Sequence, residues 1–112
     1  MLKFHRDADG APRAQAGEGR DHLAGWLESD VQESAALGRK ILAAVDKVTA
    51  GDLDEWERTG NVYTLTLSPE GADLRLELDD LGGEAAPLHL SLAELRDALA
   101  RWVGFVDEDQ RE

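Results

Sequence analysis

Hydrophobic residues recur at every third or fourth position between residues 21 and 49. That spacing is the period of an α-helix with one apolar side. Gly51 follows the last apolar position, and glycine commonly ends a helix because it adopts a left-handed conformation without strain. The pattern therefore predicts an amphipathic helix, whose apolar positions are Leu23, Leu27, Val31, Leu37, Ile41, Val45 and Val48.

Two signals compete for the start of this helix. Asp21 precedes the first apolar position and can accept a hydrogen bond from the free amides of a first turn. Ser29 with Gln32 has the spacing of a capping box, in which two side chains satisfy free amides reciprocally. A short helix over 21–28, a kink near Ser29 and a main helix over 30–49 would satisfy both signals.

A hairpin is predicted at the start of the chain. The segments 2–7 and 11–16 flank the dipeptide Asp9-Gly10. An Asp-Gly pair between two strand-length segments favours a hairpin, because both central residues of a type I′ turn have positive φ. Pro12 has no amide hydrogen, so we expect the second strand at the edge of a sheet.

Alternation of apolar and polar residues predicts more strands later in the chain. The segments 61–67 and 72–78 alternate clearly, which is typical of antiparallel strands with one buried face. Shorter candidates are 55–58 and 88–90.

In one continuous strand Trp56 and Tyr63 would point to opposite faces of the sheet, because one has an even number and the other an odd number. Either Gly60 lies in a bulge that resets the faces, or Gly60 and Asn61 form a turn between two strands.

The last helix is predicted from its capping box. Ser91 and Glu94 have the required spacing, and apolar residues follow with helical period over 92–106. The charged residues 107–112 are expected to form a frayed tail. No linker or change of composition divides the chain, so we expect a single domain over 1–106.

Grouped strands and separate helices are typical of the α+β class. We expect two layers: an antiparallel sheet of four to six strands, including both hairpin strands, with the two main helices on one face. Replacement of Leu76 with Asp should unfold such a protein. The expected core packs two groups of residues against each other: Leu65, Leu67, Leu74, Leu76 and Leu78 from the strands, with Ile41, Val45, Leu95, Leu99 and Trp102 from the helices.

Charge restricts the functions that this fold can serve. The 112 residues include 24 Asp and Glu against 12 Lys and Arg, a formal net charge of −12. Such a surplus repels nucleic-acid phosphates and anionic membranes and favours basic partners. The chain has no cysteine, which excludes disulfides and thiolate metal sites. We expect a cytoplasmic protein, because no segment has the pattern of a membrane span or a signal peptide.

Patterns for catalysis or metal binding are weak. Asp7 to Gly10 resembles part of a calcium loop, but His5 and Ala16 occupy the positions of its first and last ligands. The three histidines stand on different predicted elements without metal-ligand spacing. Asp7 and His22 could meet only in the folded chain. We therefore expect no catalytic residue, no metal and no cofactor.

One short segment combines a tryptophan with charges: Asp54, Glu55, Trp56, Glu57 and Arg58. Unpaired charges are costly to bury, so this segment is expected at the surface, near a sheet edge. One interpretation is that the acidic residues keep the surface soluble and protect the edge from unwanted pairing, with Trp56 packed below them. The other is a docking surface, with Trp56 as the apolar centre of a charged rim.

The leading hypothesis for function is a non-enzymatic interaction or regulatory module that binds a basic protein partner. A homodimer is an alternative use of the same surface, and we expect no direct binding of nucleic acid or membranes. Two narrower alternatives are mimicry of nucleic acid and neutralisation of a toxin. The rival from another class is a small-ligand-binding protein or enzyme, whose site would form only on folding.

An ordered set of segments resembles the YacL family, small acidic proteins of Gram-negative bacteria without an established biochemical role. The segments are Phe4-x-Arg6-Asp7-x-x-Gly10, Trp26-Leu27, Asp30-Val31, Trp56-x-Arg58-x-Gly60-x-x-Tyr63-Thr64-Leu65 and Trp102-Val103-Gly104-Phe105-Val106. The family often has Gly-His-Glu before the first tryptophan, where this chain has Gly19-Arg20-Asp21-His22. The resemblance implies a bacterial cytoplasmic protein and transfers no catalytic residues.

Overall fold

A hairpin, three α-helices and a four-stranded sheet make up the computed structural model, which describes residues 2–17, 20–76 and 87–109. All strand pairs are antiparallel, so the α+β class predicted from the sequence is confirmed. In chain order the elements are β1 (Lys3–Arg6), β2 (Pro12–Gln15), α1 (Asp21–Trp26), a π-helical turn (Leu27–Val31), α2 (Ala35–Ala50), β3 (Trp56–Thr59), β4 (Tyr63–Ser68), β5 (Gly71–Leu76), β6 (Leu88–Leu90) and α3 (Leu92–Asp109).

The predicted hairpin of β1 and β2 is present, but its turn is not type I′. Only Gly10 has a positive φ, +84°, whereas Asp9 does not. The Asp7 carboxylate instead accepts hydrogen bonds from the amides of Asp9 at 2.9 Å and Ala11 at 3.0 Å. A side chain thus closes the loop that we expected the backbone to close alone.

The hairpin forms its own two-stranded sheet and does not join the four-stranded one, contrary to the sequence prediction. The amide of Ala14 in β2 donates to the Glu28 carboxylate at 2.6 Å, and Pro12 has no amide to donate. The Ala14 amide at the free edge of β2 is therefore bonded to a helix side chain and not to a further strand.

The first long helix is interrupted later than predicted. A π-helical turn follows α1, and Gln32 then takes a positive φ of 55°. Ser34, not Ser29, caps α2 by accepting a hydrogen bond from the Leu37 amide. Gly51 ends α2 in the left-handed conformation, as predicted. Ser29 does not cap because its hydroxyl bonds elsewhere, to the carbonyl oxygen of Gly25 and to the Asp30 carboxylate.

The main sheet has the strand order β3-β4-β5-β6. The amide of Gly60 donates to the carbonyl oxygen of Tyr63 at 2.8 Å, so Gly60 to Val62 form a turn and the alternative of a bulge is excluded. Pro69 and Glu70 form the next turn, because Ser68 pairs directly with Gly71. The short strand predicted over 88–90 is present as β6.

The core joins the sheet to the helices largely as expected. Leu65, Leu67 and Leu74 are buried in the same cluster as the helix residues, and Trp102 is the largest side chain in it that is fully buried. Leu76 is only half-buried, so the substitution to Asp should cost less than we predicted. Leu78 lies outside the described residues.

The last helix begins as predicted and extends further. Ser91 accepts a hydrogen bond from the amide of Glu94 at 3.0 Å. The helix continues to Asp109, beyond the expected end at 106, and Asp107 forms an ion pair with Arg39 at 3.2 Å. Residues 110–112 lie outside the described residues.

Candidate interaction surface

The segment that combines tryptophan with charges lies at the margin of the main sheet. Among the residues that the structure describes, strand order places β3 at one edge, paired with β4 alone. Asp54, Glu55 and Glu57 are exposed, whereas Trp56 and Arg58 are half-buried. We call this segment, Asp54 to Arg58, the β3 edge. Trp56 is therefore neither a fully buried core residue nor a fully exposed one.

The two faces of β3 differ in chemistry. Trp56 is paired with Leu67 and Arg58 with Leu65, and both leucines are buried, so these two side chains lie on the core face. Glu57 is paired with Thr66 and lies on the outer face. The outer face is polar across the sheet: Glu57 is 3.9 Å from Arg75, and His89 contacts Asp73 at 2.8 Å.

Within the described part of the chain, the backbone of β3 offers unpaired groups at the margin. Antiparallel pairs alternate between hydrogen-bonded and non-hydrogen-bonded positions. Because Gly60 bonds to Tyr63, the alternation makes Arg58 a hydrogen-bonded position and leaves Thr59 and Glu57 at non-hydrogen-bonded ones. The amide and carbonyl groups of Glu57 and Thr59 therefore point away from β4, toward the open side of the sheet.

In the described part of the chain, charge at this edge is neutralised only at Glu57, which is 3.9 Å from Arg75. Among the residues that the structure describes, Asp52, Asp54 and Glu55 form no ion pair. Elsewhere on the surface arginines pair with carboxylates. These pairs include Arg13 with Asp7, Arg20 with Glu94, Arg39 with Asp107 and Arg96 with Asp46. Within the described ranges, the acidic residues just before β3 therefore form a local cluster of carboxylates without ion pairs.

Pairing changes the titration of the carboxylates that do meet arginine. The Arg96 guanidinium bonds to Asp46 at 2.7 Å and lowers the pKa of that carboxyl group. Arg13, together with the amide of Ala11, lowers the pKa of Asp7 in the same way. The acidic residues of the candidate calcium loop are Asp7 and Asp9. Both lie in a turn in which the Asp7 carboxylate accepts hydrogen bonds from the Asp9 amide and the Arg13 guanidinium.

A buried carboxylate holds the β3–β4 turn against the helices. Asp30, 7% exposed, accepts hydrogen bonds from the amides of Val62 at 3.0 Å and Tyr63 at 2.9 Å. A Cβ atom on Gly60 would lie 2.5 Å from Oδ2 of Asp30, so only glycine fits there without a shift. Sequence reasoning missed this role. The available signal was an aspartate within the apolar stripe, directly before Val31.

Tyr63 connects the same turn to α1. Its hydroxyl is 3.2 Å from Nδ1 of His22, and a Cβ atom on Gly25 would approach that hydroxyl to 2.7 Å. Burial raises the pKa of Tyr63, and the charges of Asp30 and Asp21 raise it further. His22 is thus engaged with a tyrosine and does not meet Asp7, which bonds to Arg13.

Two surface grooves are large enough to be candidate ligand sites. A groove of about 350 Å³ beside Tyr63 contains Arg13 and Glu28, and a cleft of about 190 Å³ contains Arg20 and Glu94. Neither combines a histidine with convergent carboxylates. Within the described ranges, no three His, Cys, Asp or Glu side chains are arranged to hold a metal ion.

The helices and the sequence relatives of the chain give two further findings. None of the helices in the described part of the chain is both long and apolar enough to cross a bilayer. The profile of an uncharacterised protein family, UPF0231, matches residues 2–85. The chain belongs to this family, which is also known as YacL and agrees with the resemblance seen in its sequence motifs.

Two relatives carry the same family name. A UPF0231 protein of Shewanella amazonensis is 29% identical over 119 aligned residues, covering 95% of this chain and 96% of the relative. A UPF0231 protein of Cronobacter sakazakii is 29% identical over 82 residues, covering 73% of this chain and 67% of the relative. No solved structure matches the chain.

Proposed function

We propose that this protein is a non-enzymatic interaction module that binds a basic protein partner at the β3 edge, through Asp54, Glu55, Trp56, Glu57 and Arg58. The observation that supports this proposal most directly is the coincidence of three features. A half-buried tryptophan, uncompensated carboxylates and an open strand edge all belong to the same short segment.

Each feature contributes differently to binding. Carboxylates without internal partners attract a basic surface over roughly 8–10 Å at physiological salt and speed association. The uncovered part of Trp56 supplies apolar area at the centre of a charged rim, an arrangement typical of the residues that dominate binding energy. A cytoplasmic location and a regulatory role are part of the same proposal.

Charge also bears on the alternative of a homodimer. Two copies of β3 paired edge to edge would bring their Glu57 side chains opposite or diagonal to each other on the outer face, and like charges at such positions are destabilising. A basic partner removes this repulsion, so it is favoured over a second copy of the chain.

The experiment is affinity purification from the native host, at increasing salt, with wild type and two charge-matched double variants. Asp54→Asn with Glu55→Gln removes two charges at the β3 edge, and Asp9→Asn with Asp21→Asn removes two exposed charges elsewhere. We expect the first variant to lose basic partners that the second retains, and we expect those partners to dissociate from wild type as salt rises.

Three results would contradict the proposal. They are recovery of acidic partners only, partners insensitive to salt, and equal losses in both double variants. Competition of DNA or RNA for the recovered partner would identify nucleic-acid mimicry as the form that the function takes. A recovered partner that is a toxin would identify neutralisation.

A further inference from the structure

We infer that the basic partner binds by adding a strand to β3, as an extended segment in which basic and apolar residues alternate. This inference rests on the proposed function, because it specifies how the same edge recognises its partner. It follows from the backbone and the two faces of β3.

The backbone provides the first argument. Glu57 and Thr59 direct their amide and carbonyl groups away from β4, so the edge presents alternating donors and acceptors at the spacing of a β-ladder. An extended peptide can satisfy all of these groups at once, which is the basis of recognition by strand addition. The free edge of β2 differs, because there Glu28 already accepts from Ala14.

The two faces of β3 specify the sequence of the added strand. Side chains of neighbouring strands that share a face lie side by side. Residues on the outer face of the added strand would therefore lie beside Glu57, which favours lysine or arginine. Residues on the core face would lie beside Trp56, which favours apolar side chains, and Arg58 on that face disfavours a cation there.

The length of the edge limits the length of the segment. β3 contains 4 residues, Trp56–Thr59, which span roughly 13 Å at about 3.4 Å per residue. Asp54 and Glu55 precede the strand and extend the acidic surface beyond it. A partner segment slightly longer than β3, with basic residues at alternate positions, would contact both.

The test uses an acetylated, amidated peptide with four Lys-Val repeats and a control peptide of the same composition with all lysines before all valines. Binding is measured by calorimetry, and amide hydrogen exchange is followed by NMR. We expect the alternating peptide to bind at least about tenfold more tightly than the block peptide. We also expect the amide hydrogens of Glu57 and Thr59 to exchange more slowly in the complex.

Methylation of the backbone amides of the peptide is the most direct test of strand addition, because it leaves the protein unchanged. One peptide is N-methylated at every lysine and another at every valine. Only one of these two sets of amides faces β3 in an added strand, so one peptide should lose binding and the other should keep it. Loss at lysine indicates antiparallel addition and loss at valine indicates parallel addition, because the two ladders pair different residues.

Variants of the protein locate the site. Trp56→Ala and the double variant Asp54→Asn with Glu55→Gln should each weaken the alternating peptide at least about tenfold, whereas Asp9→Asn with Asp21→Asn should not. An equal effect of both methylated peptides, no saturable binding, or binding unaffected by the β3-edge variants would overturn strand addition.

The proposed function and the mode of binding by strand addition can be contradicted separately. Suppose that the native partner depends on Trp56 and the carboxylates while both methylated peptides behave alike. The proposed function then stands and strand addition is wrong. If neither the native partner nor the peptide depends on the β3 edge, both are wrong.

Discussion

Oδ2 of Asp30 accepts a hydrogen bond from the backbone amide of Tyr63 at 2.9 Å, which joins the end of the first helical region to the first residue of β4. The other carboxylate oxygen binds Val62 and the Ser29 hydroxyl. The Val62 amide lies in the turn that leads from β3 into β4, and the Tyr63 amide lies directly after it. This buried carboxylate therefore helps to fix the turn against the helical region, together with the Asn61 side chain, which donates to the carbonyl oxygen of Ser29.

Replacing Asp30 with Asn should destabilise the protein by about 2–3 kcal/mol. Asn keeps one acceptor oxygen but places an NH₂ group where the second amide donates, and a buried amide without an acceptor costs about 1–3 kcal/mol. Urea unfolding measures the change. The exposed control Asp21→Asn should stay within about 0.5 kcal/mol of wild type. Equal stability of both variants would show that the two hydrogen bonds to Asp30 contribute nothing.

Gly60→Ala should destabilise the protein by about 1–3 kcal/mol, because the new Cβ atom would lie 2.5 Å from Oδ2 of Asp30. Gly104 is a matched control: it lies within α3, and a Cβ atom there meets nothing within 4 Å. Gly104→Ala should therefore stabilise the protein by about 0.5–1 kcal/mol, the gain in helix propensity. Thermal unfolding of the two variants should show shifts of opposite sign, and shifts of the same sign would contradict the predicted contact at Gly60.

Trp56→Ala should affect binding more than folding. Trp56 is half-buried, so we expect a loss of about 1–2 kcal/mol of stability. Trp102→Ala, which empties a fully buried site, should cost about 3–5 kcal/mol. Unfolding in urea measures both, and partner capture at equal folded concentration measures binding. A loss at Trp56 as large as that at Trp102, with normal partner capture, would make Trp56 a core residue only.

Acid should weaken the hairpin through Asp7. Its folded-state pKa is lowered below the ordinary 3.8, mainly by Arg13 and then by the amide of Ala11. The unfolded chain therefore binds the proton first, so the contribution of Asp7 is present above pH 3.8 and is lost as pH falls through the lower folded pKa. Asp7→Asn should lie below wild type in stability near neutral pH and approach it in acid.

Urea titrations at a series of pH values measure this dependence. Arg13→Gln removes the main cause of the lowered pKa, so it should reduce the same acid-dependent loss. A gap between wild type and Asp7→Asn that widens as pH falls would contradict the sign of this effect.

Local patterns predicted most of the elements. The hairpin at Asp9-Gly10, the end of α2 at Gly51, the cap at Ser91 and the short strand at residues 88–90 all depend on residues within a few positions of each other. Turn, cap and period preferences arise from backbone sterics and nearby hydrogen bonds, which the sequence displays directly. The acidic surplus, from which we predicted a basic partner, is likewise a property of composition.

Contacts between distant residues decided what the local patterns left open. Ser29 has the spacing of a cap, but its hydroxyl bonds to Gly25 and Asp30, and α2 begins after Ser34 instead. The hairpin is separate from the main sheet, and the Ala14 amide at its edge bonds to Glu28, which is distant in sequence. In each case a backbone or side-chain group could form its hydrogen bond with more than one partner. Only the folded structure determines which partner it has.

The candidate surface shows the same division. Its residues, Asp54 to Arg58, and its place near a sheet edge follow from the sequence, because charged side chains resist burial. The half-burial of Trp56, the direction of the Glu57 and Thr59 backbone groups, and the carboxylates left without arginines depend on the pairing of β3 with β4. The turn that joins the two strands is bonded to Asp30 from another part of the chain. Long-range packing, which no local pattern encodes, therefore decides how this edge is presented.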